Sequence, residues 1–142
     1  RAGTSEAAVG YLETIAARIR AEGGYANECY RGDGPTPFNS CFLLGFSVAP
    51  FLTSIFEGLW GLEPRMTERT IRCRPNFPAH WTSASLRNLR LGPGTLELAW
   101  KPGTLQAVWT GPWPVVLAGV HASVHLVPGE PATLPLGAAT SG

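Results

Sequence analysis

The residues best suited to chemistry fall close together between positions 25 and 39: Tyr25, Asn27, Glu28, Tyr30, Arg31, Asp33 and Asn39. The same stretch holds Gly32, Gly34, Pro35 and Pro37, so it reads as a loop and not as continuous helix or strand. A loop held by rigid elements is the usual place for catalytic groups. Glu28 is the carboxylate at its centre, and a carboxylate within hydrogen-bond reach of a substrate or a water serves as general acid or base. It also has an ordinary use, in which it pairs with Arg31 or caps a backbone turn. On composition alone the ordinary use is favoured.

Two helices must hold this loop. From Thr4 to Glu22, apolar residues recur at Val9, Leu12, Ile15, Ala16 and Ile19, the spacing of one buried helix face. Thr4 or Ser5 is expected to cap the start, with Glu6 set against the N-terminal dipole. Arg18 and Arg20 suit the other end, and Gly23-Gly24 supplies a left-handed stop. The second helix follows Asn39. Ser47 is its expected cap, because Pro50 is tolerated only in a first turn, and Gly58 or Gly61 ends it. Phe51, Leu52, Ile55 and Phe56 make this helix apolar almost all round, and such a helix is normally surrounded by protein. Two helices cannot surround each other, so further protein is expected to cover them.

From about Met66 the pattern changes to a period of two. Ile71 and Cys73 share one side of a strand over 70–74. Leu86, Leu89 and Leu91 belong to another. Leu96, Leu98 and Trp100 alternate with Thr95, Glu97 and Ala99, and after Pro102-Gly103 the alternation resumes at Leu105, Ala107 and Trp109. Residues 115–120, 123–127 and 132–136 are further short strands. Strands of this length with regular turn signals predict a small antiparallel β-sandwich. Trp100 and Trp109 follow the inward face and are expected in packing. Trp81 and Trp113, each close to a proline, fit either packing or a stacking platform. His121 and His125 are four apart and are expected on one strand face, with no third ligand to make a metal site. The expected fold class is therefore α+β, with residues 1–64 helical, 65–137 a small β-sandwich domain and 138–142 a flexible tail.

Composition narrows the function classes. The chain has 142 residues, 44% of them apolar, so it has material for a core. Charged residues make up 15%, below the ~25% usual for a free-standing domain, which suggests that some surface is covered. The net charge is +1, from 11 basic and 10 acidic residues. No basic run or aromatic–basic stripe speaks for nucleic acid. The longest apolar stretch, Cys41 to Leu52, is interrupted by Gly45, Ser47 and Pro50 and is short of the ~20 residues of a spanning helix, so no membrane role is expected. Cys29, Cys41 and Cys73 lack metal-type spacing and read as isolated buried thiols. No metal or other cofactor is expected. The sequence opens at Arg1 without a leader or initiator Met, which reads as a processed chain or an excerpt of a longer one.

The order of residues in the loop adds a more specific reading. Glu28-Cys29-Tyr30-Arg31-Gly32-Asp33-Gly34-Pro35, then Cys41, then Phe46-Ser47-Val48-Ala49, resembles the closing part of the catalytic barrel in the amylo-α-1,6-glucosidase (glycogen-debranching) family. It is similar, more loosely, to other α/α-barrel glycosidases. The spacing from Glu28 to Ala49 fits that pattern without a gap, and the resemblance spans residues 5–60. One departure stands out: Leu44-Gly45-Phe46 occupies the place where the family has Gln-Ala-Trp. The resemblance implies two helices from the end of an (α/α)6 barrel. It also implies that Glu28 is the general base of an inverting hydrolysis, with Tyr30, Arg31, Asp33 and Phe46 as substrate-binding residues. The partner acid would lie on an earlier loop of the barrel, so the isolated chain is expected to be inactive. The implied partners are a carbohydrate substrate and the remainder of the barrel.

Two other readings compete. In one, the chain is a non-enzymatic carbohydrate-binding or interaction module, with Trp81, Trp113 or Tyr30 stacking on sugar. In the other, the barrel is that of a sugar phosphorylase, in which phosphate replaces the attacking water. Clustered phosphate donors would then be expected near Glu28, and only Arg31 and Gly32 are there.

Overall fold

The computed structural model describes residues 2–24 and 45–137, which divide into two compact units, one up to Phe56 and one from Glu57 onward. Helices and strands are both present, so the class is α+β.

Helix α1 spans Ala2–Ala21. It starts earlier than expected, which places Thr4, Ser5 and Glu6 inside the helix and not at its cap. Its C-terminus closes as a Schellman motif: the Gly24 N–H donates to the Ile19 carbonyl at 2.8 Å, and the Gly23 N–H donates to that of Arg20 at 3.2 Å. Gly23 takes φ 71°, the left-handed position for which glycine has no steric penalty. Arg18 and Arg20 occupy the last turn, where cations oppose the helix dipole. The apolar face is only partly covered. Val9 is 5% exposed, whereas Ile15, expected to be buried, is 41% exposed.

Helix α2 spans Gly45–Thr53 and runs into a π-helical segment, Ser54–Leu59. Ser47 is therefore within the helix, and Pro50 lies beyond the first turn, not in it. Without an N–H, Pro50 leaves a gap in the i→i−4 ladder. One turn later the Ser54 hydroxyl donates to the Pro50 carbonyl at 2.8 Å, and the wider π pattern begins. No side chain of the π segment is buried. Val48 and Leu52 of α2 are 38% and 41% exposed. None of the described helices is long and apolar enough to cross a membrane.

The second unit contains two four-stranded sheets. The first has the order β1-β2-β6-β7, from Leu62–Arg65, Thr70–Cys73, Val115–Ala118 and Ser123–Leu126. The second has the order β3-β4-β5-β8, from Ala84–Leu91, Gly94–Lys101, Thr104–Thr110 and Pro131–Pro135. Strand β1 begins inside the stretch expected to be helical, and a short 3-10 turn, Met66–Glu68, follows it. All pairs are antiparallel except β2–β6, which is parallel with Ile71 opposite Leu117. The expectation of purely antiparallel strands is corrected there. The chain leaves the first sheet after β2, builds most of the second, and re-enters beside β2, and a parallel neighbour requires a crossover of that kind.

The inward faces follow the alternation. Leu96, Leu105, Trp109 and Leu134 of the second sheet are fully buried, as are Ile71, Cys73, Leu117 and Leu126 of the first. The two hairpin turns use glycine in opposite positions. Gly92-Pro93 has φ 59° at its first residue and Pro102-Gly103 has φ 82° at its second, the orders of type II′ and type II turns respectively. Trp109 anchors the second sheet. Its indole N–H donates to the Trp113 carbonyl at 2.8 Å, and its ring fills the space where Gly94 and Gly111 have no side chain.

Candidate functional site

Glu28, Tyr30, Arg31 and Asp33 lie outside the described residues, as do Cys29 and Cys41. Phe46 belongs to the first turn of α2, but its side chain is also outside them. What the structure does define is how the connection is bounded. The Schellman motif at Gly23-Gly24 releases the chain four residues before Glu28, and helix begins again at Gly45. In sequence, the residues singled out for chemistry from Tyr25 to Asn39 fall between these two described helices. Phe46, Ser47, Val48 and Ala49 lie at the start of the second of them.

The tryptophans considered as sugar platforms are engaged in packing. Phe77 is the hub of one cluster. Trp60 meets it edge-on at 4.9 Å, Trp81 stacks on it at 5.5 Å with planes 20° apart, and Trp100 tilts against it at 4.6 Å. Trp81 therefore presents one ring face to Phe77. Trp113 carries the Arg69 guanidinium 5.4 Å above its ring, a cation–π arrangement, and its carbonyl holds Trp109. Trp100 and Trp109 sit on the packing side that the alternation assigns them.

Among the described residues, Cys73 and Glu63 sit in structural contacts. Burial pushes the Cys73 thiol up to about 12, and its sulfur lies 3.4 Å from the Trp60 carbonyl oxygen as a donor. Such a thiol is a poor nucleophile. Glu63 takes a 2.9 Å hydrogen bond from Arg65 Nε, with Arg72 at 3.5 Å. The hydrogen bond from Arg65 holds its carboxyl below the usual value. His121 precedes β7 and does not share a strand with His125; its ring lies beside Gly137. Among the described residues, no group of three His, Cys, Asp or Glu side chains is placed to hold a metal ion.

Sequence reasoning missed one feature of the second sheet. Strand β3 slips register between Leu86 and Leu89 opposite β4, and Asn88 takes φ 56°. This β-bulge puts two consecutive exposed residues, Arg87 and Asn88, on the strand, where strict alternation would expose one. The signal was the three-residue interval from Leu86 to Leu89. Two hollows, of about 320 and 420 Å³, lie on the outer face of this sheet and share Ser85, Ala99 and Gln106.

No family model matches the sequence, and no curated protein matches it. Among solved structures, one described as "Putative kojibiose phosphorylase from human microbiome" is similar over 63% of this chain, with 11% identity and a TM-score of 0.49. This chain spans 13% of the length of that one.

Proposed function

We propose that this chain is the C-terminal portion of an inverting glycoside hydrolase of the α/α-barrel type, acting on α-glucoside-type or oligosaccharide substrates. Residues 1–64 close the catalytic barrel, residues 65–137 form the small β-sandwich behind it, and residues 138–142 are a tail. The observation that carries the reading is the gapless order from Glu28 through Gly32, Asp33, Pro35 and Cys41 to Ser47-Val48-Ala49, on a connection bounded by α1 and α2. The exposed Tyr11, Ile15, Val48 and Leu52 agree with helices that the remainder of the barrel covers.

In this reading Glu28 takes a proton from water as the water attacks the anomeric carbon. A carboxylic acid on an earlier barrel loop protonates the leaving oxygen, about 6.5–9.5 Å away across the sugar. Tyr30 and Phe46 offer ring faces to the substrate, and Arg31 and Asp33 contact its hydroxyls. The isolated chain, lacking the acid, is inactive.

The test is Glu28→Gln in the complete enzyme, which keeps the shape of the side chain and removes the base. Turnover of a glycoside should fall by about 10²–10⁴-fold, and the wild type should release product of inverted anomeric configuration. Near-normal turnover of the variant would return Glu28 to a structural role. Turnover that requires inorganic phosphate would replace hydrolysis with phosphorolysis.

A further inference from the structure

The outer face of the second sheet differs from an ordinary solvated sheet surface. Such a surface is normally covered by long charged side chains lying over the strands. Here a cross-strand row of short polar or small residues, Ser85, Ala99, Gln106 and Thr133, is fixed by the register of β3, β4, β5 and β8. The two hollows on either side of this row share its first three members, so they form one continuous trough along β4 and β5. One end is at Lys101 and Thr104. The other is at Arg87, Asn88 and Glu97. Lys101 and Glu97 are four residues apart on one strand, so the trough is about 14 Å long at ~3.4 Å per residue.

The bulge shapes the second end. By exposing Arg87 and Asn88 in succession, it adds an amide beside the guanidinium at a point where the strand would otherwise present one group. Bulges of this kind re-aim side chains. The lining offers hydroxyls from Ser85 and Thr104, amides from Asn88 and Gln106, and charges of both signs from Arg87, Lys101 and Glu97. The floor is Ala99, which leaves room for the ligand, and Val108 and Pro131 add a small apolar patch at the Glu97 end, as the apolar face of a sugar ring would need. The charges nearly cancel, so neither a polyanion nor a polycation is favoured. A neutral, extended molecule dense in hydroxyl groups matches both the lining and the length.

We propose that this trough is a non-catalytic binding site for a neutral oligosaccharide of roughly two to three pyranose rings, a length that follows from the spacing along the strand. The choice of an α-glucan as probe rests on the function proposed above; the site itself rests on the trough. The trough is built wholly from residues of the second unit.

Isothermal titration of the full chain with maltotriose tests the proposal, alongside Ala99→Trp and Gln106→Ala. Ala99 is exposed and lies in mid-strand, where an aromatic residue suits β-structure. The bulky variant should therefore fold while filling the trough, which circular dichroism checks. Saturable binding to the wild type is expected, weakened at least tenfold in Ala99→Trp and severalfold in Gln106→Ala. Absence of saturable binding, or equal binding by folded Ala99→Trp, would overturn it. Either result leaves the assignment of Glu28 standing, because that assignment is read from turnover of the complete enzyme.

Discussion

Gly94 lies against the ring of Trp109, so that a methyl group added at Gly94 would overlap the indole carbons. The ring is fully buried, and a methyl group at Gly111 would overlap it as well. Gly94→Ala should therefore force the indole or the β4 backbone to move, at a cost of about 1–3 kcal/mol. Gly10 offers the opposite case. It sits inside α1, has nothing within 4 Å of where its Cβ would be, and should gain up to about 1 kcal/mol of helix stability as alanine. Urea unfolding followed by Trp fluorescence for the first, and by far-ultraviolet circular dichroism for the second, distinguishes the two signs.

Asp33 and Glu28 should separate kinetically in the complete enzyme. If Asp33 holds the loop or a sugar hydroxyl, Asp33→Asn raises KM by about tenfold or less, the loss of one hydrogen bond, and leaves kcat nearly intact. Glu28→Gln should lower kcat. Equal losses of kcat in both variants would reverse the roles assigned to them.

The exposed apolar side chains of α2 predict how the isolated chain behaves. Val48 and Leu52 are one turn apart on the helix and both face solvent, and contiguous apolar surface of this kind promotes association. Leu52→Lys should reduce self-association in analytical ultracentrifugation without changing the strand signal. In the complete enzyme the same change should lower the melting temperature, because a charge would then be placed against the covering helices. An unchanged melting temperature would show that nothing covers this face.

Cys73 gives a pH dependence with a defined sign. Burial raises its thiol from 9.0 to about 12 in the folded chain, so the folded state retains its proton where the unfolded state has lost it. The stability associated with the neutral thiol is complete below pH 9. It is lost as pH rises from there toward 12, by up to ~1.4 kcal/mol per pH unit. Cys73→Ala should flatten that part of the stability profile relative to wild type. The thiol should also resist alkylation at pH 8 until the chain is unfolded.

Much of the second unit was legible because its signals are local. Leu96, Leu98, Leu105, Ala107 and Trp109 alternate on strands joined by two-residue turns, and a period of two leaves one choice of buried face. The Gly23-Gly24 stop was legible for the same reason. Strand β1 was not: Leu62-Glu63-Pro64-Arg65 is short, contains proline and exists only because β2 pairs with it. The parallel β2–β6 pair and the packing of Gly94 on Trp109 depend on residues far apart in sequence, which no periodicity reports. Ile15 matched the helical rhythm, but rhythm does not say whether a neighbour is there to cover it. The candidate site was read from an ordered motif, and its residues lie outside those whose geometry is described.

The parallel contact of β2 with β6 sets an order of assembly. Strands β3, β4 and β5 are joined by two-residue turns and can pair as soon as they leave the ribosome, since contacts close in sequence form first. The β1–β2 hairpin must wait for Val115–Ala118 to be synthesised before it gains its second neighbour. Until then it is a two-stranded ribbon, which is marginal in water, with Ile71 and Cys73 uncovered. A nascent chain stopped after Thr110 would hold a nearly complete second sheet and an orphaned first one. The first sheet, though it begins earlier in the chain, gains its third strand only after β3, β4 and β5 have been made, and β8 then completes the second.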